Sequence, residues 1–229
     1  MTVPTPRSQL RVVLIEDHAL FAESLELALT LEGYAVRRIP IVEHGESARA
    51  LVATVVRLVP RIVLLDLDLG RIGDGVRLIA PMAKTGVNVV VVTASTDRAR
   101  WGECLVNGAR KVLSKSQPLN EILSTVRRIN QGLPVIDREE RESLINYWHE
   151  QGRERAALQR RLALLTAREK AVLGELMQGH TVRDIATSSV VSEATVRTQV
   201  KSILAKLEVS SQLAAVGLAN SAGWRPPVG

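Results

Sequence analysis

The pattern of hydrophobic and polar residues changes near residue 160. From Leu10 to about Ile129, short β-branched runs (RVVLI, RIVLL, NVVVV, KVL) alternate with longer segments of helical period such as LFAESLELALTLEG and RWGECLVNGA. Apolar runs of four or five residues indicate strands that are buried on both faces, and the segments between them indicate covering helices. The alternation predicts an α/β fold with a doubly wound, parallel, five-stranded sheet.

A different pattern begins after about Leu162, where no strand-like run remains. Short helical segments are separated there at Gly179-His180, Ser188-Ser189 and Val209-Ser210, which predicts a small all-α domain. The stretch REERESLINYWHEQGRERAALQRRLALL before it has balanced charge and is typical of an exposed helix or helical linker. We therefore divide the chain into an α/β domain at 8–131, a helical linker at 132–161, a helical domain at 162–222 and a tail at 223–229.

Polar side chains stand where the predicted strands end. Glu16 and Asp17 follow VVLI, Asp66 follows IVLL, Thr93 follows VVVV and Lys115 follows VLS. Because the carboxyl ends of parallel strands lie along one edge of the sheet, where α/β folds bind ligands, these groups should converge. Clustered carboxylates need a cation, and an oxygen-only site with room for water suits Mg²⁺. A metal bridging Asp66 and an incoming phosphoryl group would let the Asp66 oxygen attack phosphorus while Lys115 holds another phosphoryl oxygen.

Charge and cysteine content indicate the kind of partner and the cellular compartment that suit this chain. Thirty Lys and Arg residues against twenty-four Asp and Glu residues give a net charge of +6, which favours an anionic partner such as nucleic acid. The single cysteine, Cys104, excludes an internal disulfide and a cysteine metal cluster and fits a reducing cytoplasm. The first residues, MTVPTPRSQL, lack the apolar core of a signal peptide, and charges interrupt every apolar stretch before it reaches a membrane-spanning length. We expect a cytoplasmic protein that does not enter a membrane.

On these residues, the segment from 10 to about 130 resembles the receiver domain of two-component response regulators. The resemblance implies that Asp66 is the phospho-acceptor for a sensor histidine kinase. The residues that it implies for Mg²⁺ are Glu16, Asp17, Asp66 and Asp68, the last through its backbone carbonyl. Thr93 corresponds to the switch hydroxyl of the family and Lys115 to its phosphoryl-binding lysine.

Two departures from the family pattern concern the transmission of the signal. The family often has an aromatic residue on the fifth strand, where the segment GARKVLSK places Val112. The loop after the acceptor usually follows D-x-x-M-P-x-x-D-G, whereas LDLGRIGDG has Leu69-Gly70 in place of Met-Pro and delays Asp74-Gly75 by one residue. These changes predict intact phosphorylation chemistry without the usual coupling between an aromatic residue and the switch threonine.

The helical domain carries capping signals at three predicted helix starts. Thr166 precedes Glu169 by three residues, Thr181 precedes Asp184 by three, and Ser192 opens a third helix. Along that third helix the residues on one face are apolar: Val196, Val200, Ile203, Leu204 and Leu207. Its other face is polar and basic: Arg197, Thr198 and Lys201. A short helix, a turn and an amphipathic helix with a basic outer face indicate a helix-turn-helix DNA reader, and the alternative is a small bundle whose charges are solvated.

Residues 162–222 resemble the LuxR-type DNA-binding domain that follows the receiver in NarL/FixJ-type regulators. The segments LTAREKAVL, IATSSVVSEATVRTQVKSILAKL and QLAAVGLA carry the resemblance. The residues that it places against double-stranded DNA are Arg197, Thr198 and Lys201 at the major groove and Ser192 and Thr195 near phosphates. It also implies a homodimer paired through the last helix, around residues 211–219.

Two alternatives remain open at the level of the sequence. The stretch DLDLG also resembles the nucleophile motif of haloacid-dehalogenase-type phosphohydrolases, in which Asp66 would attack and Asp68 would act as general acid and base. Against this enzyme, the acidic pair comes before the nucleophile instead of after the lysine, and Gly70 stands where that family usually has Thr or Val. The second alternative keeps both domains but makes the regulator independent of phosphate, because of Val112 and the altered loop.

Overall fold

The computed structural model describes residues 10–40, 47–70 and 73–226. The chain forms two compact units, 1–149 and 150–229, which we describe separately. The predicted domain start at residue 8 and the last three residues of the predicted tail lie outside the described residues. The domain boundaries taken from the sequence remain predictions.

The first unit contains the parallel sheet that the sequence predicts. Its strands are β1 (Arg11–Ile15), β2 (Ala35–Ile39), β3 (Ile62–Leu65), β4 (Asn88–Thr93) and β5 (Lys111–Ser114). All four pairings are parallel, and the spatial order is β2-β1-β3-β4-β5. Because β1 and β3 are neighbours and the order reverses around them, their carboxyl ends flank the crevice in which such sheets bind ligands.

Helices cover both faces of this sheet. They are α1 (Ala19–Leu31), α2 (Ala48–Arg57), α3 (Val76–Ala83), α4 (Arg98–Val106) and α5 (Leu119–Asn130). Alternate residues of β1 enter opposite cores: Val13 packs with residues of α2, α3 and α4, whereas Val12 packs with residues of α1 and α5. Burial on both faces explains the continuous apolar runs of β1, β3 and β4, whereas β2, at the edge of the sheet, carries Arg37 and Arg38.

Glycines follow the ends of two of these helices. Helix α1 ends at Leu31 and α4 at Val106, and the following Gly33 and Gly108 have φ values of 89° and 104°. The left-handed region is costly for residues with a Cβ atom, so glycine suits these turns.

A helix of 26 residues, α6 (Arg138–Ala163), begins in the first unit and ends in the second. Within the first unit, its buried Leu144 joins the core on the α4 side of the sheet. Arg141 donates hydrogen bonds to the carbonyl oxygens of Leu105, at 2.9 Å, and Ala109, at 3.4 Å. The helix expected from the charged segment is therefore present.

Four further helices form the second unit. They are α7 (Ala167–Met177), α8 (Val182–Ser188), α9 (Glu193–Leu207) and α10 (Gln212–Ser221). The three predicted caps are confirmed, since the side chains of Thr166, Thr181 and Ser192 each accept a backbone N–H three residues later. The first two form complete capping boxes, which satisfy backbone donors at the starts of α7 and α8.

The capping residue Glu169 also forms a buried ion pair inside the second unit. Its Oε2 atom lies 2.7 Å from Nζ of Lys206, and its Oε1 atom accepts a hydrogen bond of 2.6 Å from Ser202. Glu169 is only 5% exposed. Burial alone would raise the pKa of this carboxyl, but hydrogen bonds from Lys206, Ser202 and Thr166 outweigh it and lower the pKa to about 2. The contact ties α7 to α9.

No single helix in the described parts of the chain is long and apolar enough to cross a membrane. By length and composition alone, α9 and α10 pass as a pair bent by 53°.

We expect Glu169→Gln to lower the free energy of unfolding of the second unit by about 1–3 kcal/mol at pH 7, because Lys206 loses its charged partner. The folded pKa lies below the ordinary value, so this stabilisation is complete above about pH 4.5 and is lost as the pH falls toward 2. Denaturant-dependent hydrogen exchange of α9 at several pH values measures it. The difference between wild type and variant should shrink with acid, and Glu150→Gln, an exposed carboxylate on α6, is the matched control.

Candidate phosphorylation site and DNA-binding helix

Asp66 lies at the end of β3 and is fixed on both of its oxygens. Its Oδ1 atom accepts the backbone N–H of Leu67 at 2.7 Å and that of Asp68 at 3.4 Å. Its Oδ2 atom lies 2.7 Å from Nζ of Lys115. Asp66 is only 2% exposed, so its carboxylate is held in one orientation at the bottom of the crevice.

Lys115 links the carboxylates across the sheet edge. Its ammonium lies 2.7 Å from Oε1 of Glu16 as well as 2.7 Å from Asp66, and it lies 5.2 Å from the centre of the Phe21 ring. Burial alone would lower the pKa of Lys115, but the hydrogen bonds and charges of Asp66 and Glu16 outweigh it and raise the pKa. The lysine is therefore a charged donor at neutral pH.

The acidic pair after β1 completes a group of possible metal ligands. One ligand atom each from Glu16, Asp17, His18 and Asp66 lies within 4.8 Å of the others. Three of the four donors are carboxylate oxygens, which suits a hard divalent cation. His18 is the member that sequence reasoning left out: its Nδ1 atom is 3.0 Å from Asp17 and 3.1 Å from Glu16. The side chain of His18 is 68% exposed, so it borders the cluster from the solvent side.

Thr93 ends β4 and is fully buried. Its hydroxyl oxygen accepts the backbone N–H of Ser95 at 3.1 Å. Val112, at the position where the family often has an aromatic residue, is buried in the core on the α4 side. The carboxylates, hydroxyl and ammonium predicted from strand exits thus all stand at the carboxyl edge of the sheet.

The two ends of the loop after Asp66 are hydrogen-bonded to each other. Asp68 pairs with Asp74 in an isolated antiparallel bridge, and the N–H of Gly75 donates to the carbonyl of Leu67 at 2.8 Å. A Cβ atom at Gly75 would lie 2.5 Å from the carbonyl oxygen of Asp66, so only glycine fits beside Asp66.

Arg100 of α4 holds this loop from outside. Its guanidinium lies 3.2 Å from Oδ1 of Asp68 and 3.0 Å from Oδ1 of Asp74. Burial alone would lower the pKa of Arg100, but Asp74 and Asp68 raise it. The side chain of Asp68 therefore pairs with arginine instead of joining the ligand group, which leaves only its backbone carbonyl for the role that the resemblance implies.

The amphipathic helix α9 has the two faces that the sequence predicts. Val196, Val200, Ile203 and Leu207 are buried and Leu204 is partly buried, while Arg197, Thr198 and Lys201 are exposed. Ser192 and Thr195 lie at its amino end, where their hydroxyls are 2.9 Å apart. Arg197 is paired with Glu193 at 3.2 Å, yet its side chain remains 69% exposed. The basic groups are therefore presented to solvent on a rigid helix.

Comparison with known families assigns both units. The model for the response regulator receiver domain matches residues 12–127, and the model for the luxR family of bacterial regulatory proteins matches residues 163–219. The first match spans more than half of the chain, and the chain therefore belongs to the response regulators: it is a DNA-binding transcriptional regulator of the NarL/FixJ type. Members of this class are transcription factors and not enzymes, so the phosphohydrolase alternative loses its support.

Two relatives match this chain over nearly its whole length. The chain is 26% identical over 230 residues to the transcriptional regulatory protein DegU of Brevibacillus brevis, covering 95% of each chain. It is 29% identical over 218 residues to the probable transcriptional regulatory protein NarL of Mycobacterium tuberculosis, covering 94% of this chain and 95% of the relative. A solved structure of the response regulator RcsB of Salmonella typhimurium matches with a TM-score of 0.48 and 19% identity, covering 93% of this chain and 99% of that one.

We expect Lys115→Ala to lower the free energy of unfolding of the first unit by about 1–3 kcal/mol in metal-free buffer, since Asp66 and Glu16 keep their charges and lose their cation. Adding Asp66→Asn to this variant should recover part of the loss, because one buried charge is then removed. Denaturant-dependent hydrogen exchange of the sheet measures both, with the exposed Lys84→Ala as the control. An equal loss in the single and double variants would contradict a charge-based role.

Proposed function

We propose that the protein is a transcriptional regulator controlled by transfer of a phosphoryl group from a sensor histidine kinase to Asp66. The observation that carries this proposal is the buried Asp66 carboxylate, aligned by two backbone N–H groups and by Lys115 beside the Glu16–Asp17 pair. The kinase and the DNA would both be met in the cytoplasm.

The chemistry follows from the positions of the charges. An Asp66 oxygen attacks phosphorus, an O–P bond forms, and the N–P bond of the donor phosphohistidine breaks with its electron pair returning to the imidazole. Lys115, already beside Asp66, would move its ammonium to a phosphoryl oxygen, and the Thr93 hydroxyl would donate a hydrogen bond to the product. Glu16, Asp17, Asp66 and the Asp68 carbonyl would hold Mg²⁺, which supplies charge neutralisation when bound.

The second unit would deliver the response to double-stranded DNA. We propose that Arg197, Thr198 and Lys201 meet base edges in the major groove and that Ser192 and Thr195 lie against phosphates. Support comes from the exposure of these side chains on a helix whose opposite face packs into the core of the second unit. We also propose that the regulator pairs as a homodimer through α10, and that the DNA-binding domain comprises residues 162–222.

Acetyl phosphate or the cognate kinase should add one phosphoryl group to the wild-type protein and none to Asp66→Asn, because the attacking oxygen is lost. Intact mass measures the stoichiometry. Labelling should require Mg²⁺, and Asp17→Ala should raise the Mg²⁺ concentration needed by on the order of tenfold, whereas His18→Ala should not.

DNA footprinting of the same proteins separates the phosphate-controlled regulator from a phosphate-independent one. If phosphorylation occurs but wild type and Asp66→Asn occupy DNA equally with and without the phosphoryl donor, the regulator does not depend on phosphate. If Asp66→Asn is labelled as strongly as wild type, the acceptor has been assigned to the wrong residue.

Arg197→Ala should weaken binding to the cognate site by about 1–3 kcal/mol and relax the preference at one base pair in each half-site, because the guanidinium can hold a guanine through two hydrogen bonds. Selection of sites from a random pool measures the preference. A symmetric dimer should select half-sites about 10 base pairs apart.

Lys201→Ala is the comparison for this experiment. A lysine that acts only on phosphate weakens all sequences alike and leaves the selected motif unchanged. An Arg197→Ala protein that selects the wild-type motif with the same stringency at every position would show that this side chain does not read sequence.

A further inference from the structure

Helix α4 contacts the candidate phosphorylation site through two adjacent side chains. The first is Arg100, whose guanidinium holds Asp68 and Asp74 at the base of the loop that follows the acceptor. Asp68 is itself connected to the acceptor, since its backbone N–H donates to Asp66. A change in the position of this loop would therefore move the Arg100 side chain, in the first turn of α4.

The second contact comes from Trp101, the next residue along the helix. Its indole Nε1–H donates to the carbonyl of Ser95 at 2.9 Å, and the N–H of Ser95 donates to the Thr93 hydroxyl at 3.1 Å. An aromatic side chain is thus connected to the Thr93 hydroxyl through Ser95, but it belongs to α4. The β5 position where the family often has an aromatic residue is occupied by Val112. Trp101 also packs against the core on this side of the sheet.

The opposite side of α4 packs directly on α6. Gly102 faces the carbonyl oxygen of Leu144 and the side chain of Trp148, and a Cβ atom there would lie 2.8 Å from Cβ of Trp148. Arg141 of α6 makes a second contact by donating a hydrogen bond to the carbonyl oxygen of Leu105, in the last turn of α4. The two helices therefore approach closely at Gly102, and the hydrogen bond from Arg141 adds a second contact at Leu105.

We propose that α4 couples the phosphorylation site to α6, with Arg100 as the positioning residue and Gly102 as the point of contact with α6. This inference rests on the proposed function of Asp66. Phosphorylation of Asp66 would add negative charge beside the loop that carries Asp68 and Asp74, and it would draw Thr93 toward the phosphoryl group. Either change alters the contacts that hold α4, and α4 passes that change to α6 because even a Cβ atom at Gly102 would overlap the backbone of Leu144. The path replaces the coupling that an aromatic residue on β5 would supply.

Hydrogen exchange of the full-length protein, with and without the phosphoryl donor, tests the path at three segments: 67–76, 98–106 and 138–149. Without phosphate, Arg100→Gln should speed exchange in all three by roughly two- to fivefold, as expected for a partly exposed ion pair. Arg98→Gln, an exposed arginine in the same turn with no ion pair among the described residues, should change none of them. Arg100→Lys should restore part of the effect, because lysine can hold one carboxylate but not span both.

Gly102→Ala tests the other end of the path. It should speed exchange in 138–149 while leaving 67–76 and the stoichiometry of Asp66 phosphorylation unchanged. Gly152→Ala makes the same change on α6 where a Cβ atom meets nothing within 4 Å, and it should not speed exchange in 138–149.

Phosphorylation separates the two proposals. Intact mass reports whether Asp66 accepts phosphate, and the response of 138–149 to phosphate should be present in wild type and Arg98→Gln and lost in Arg100→Gln and Gly102→Ala. A full response in Arg100→Gln would overturn the coupling even if Asp66 is phosphorylated. If the wild-type protein accepts no phosphate, the proposed function fails, and the path is then judged from the exchange rates measured without phosphate. An exchange rate in 138–149 that is the same in Arg100→Gln and wild type would overturn the path. A faster rate in Arg100→Gln would support it.

Discussion

The site depends on one lysine that holds two buried carboxylates at the edge of a parallel sheet. Asp66 and Glu16 come from different strands, and each is almost fully withdrawn from water. Bringing two such charges together is unfavourable unless a cation lies between them, and Lys115 reaches both at 2.7 Å. The ammonium is thus the counter-ion of both carboxylates.

The sheet order determines which residues can take part in this arrangement. β1 and β3 are adjacent, so the acidic pair and Asp66 are neighbours, and Thr93 and Lys115 follow on the next two strands in spatial order. In a parallel sheet the strand ends meet at one edge, which is why the exits of apolar runs were enough to predict that these polar side chains stand at the same edge of the sheet. The helix caps at Thr166, Thr181 and Ser192 were predictable for a related reason: their partners lie only three residues away.

Contacts between distant helices could not be predicted in the same way. Arg100 meets Asp68 across 32 residues and Lys206 meets Glu169 across 37, and charged residues on helices are in most cases simply solvated. The contacts of Trp101 and Gly102 could not be predicted either, because a tryptophan or a glycine in an amphipathic helix does not identify the helix that it packs against. His18 was visible beside the acidic pair, but only the folded loop brings its ring within 3.1 Å of both carboxylates.

The loop after Asp66 shows where this site can accept a change of length and where it cannot. Its extra residue, compared with the family pattern, falls between Asp68 and Asp74, which pair with each other, so the bridge separates the longer segment from Asp66. At Gly73, within that segment, no described residue beyond the chain neighbours has an atom within 4 Å of a Cβ position, although the φ of 86° there favours glycine. A Cβ atom at Gly75 would instead overlap the backbone of Asp66. Natural variants of this regulator should therefore differ in the length of the tip while keeping glycine at position 75, so drift in loop length need not alter the carboxylate cluster beneath it.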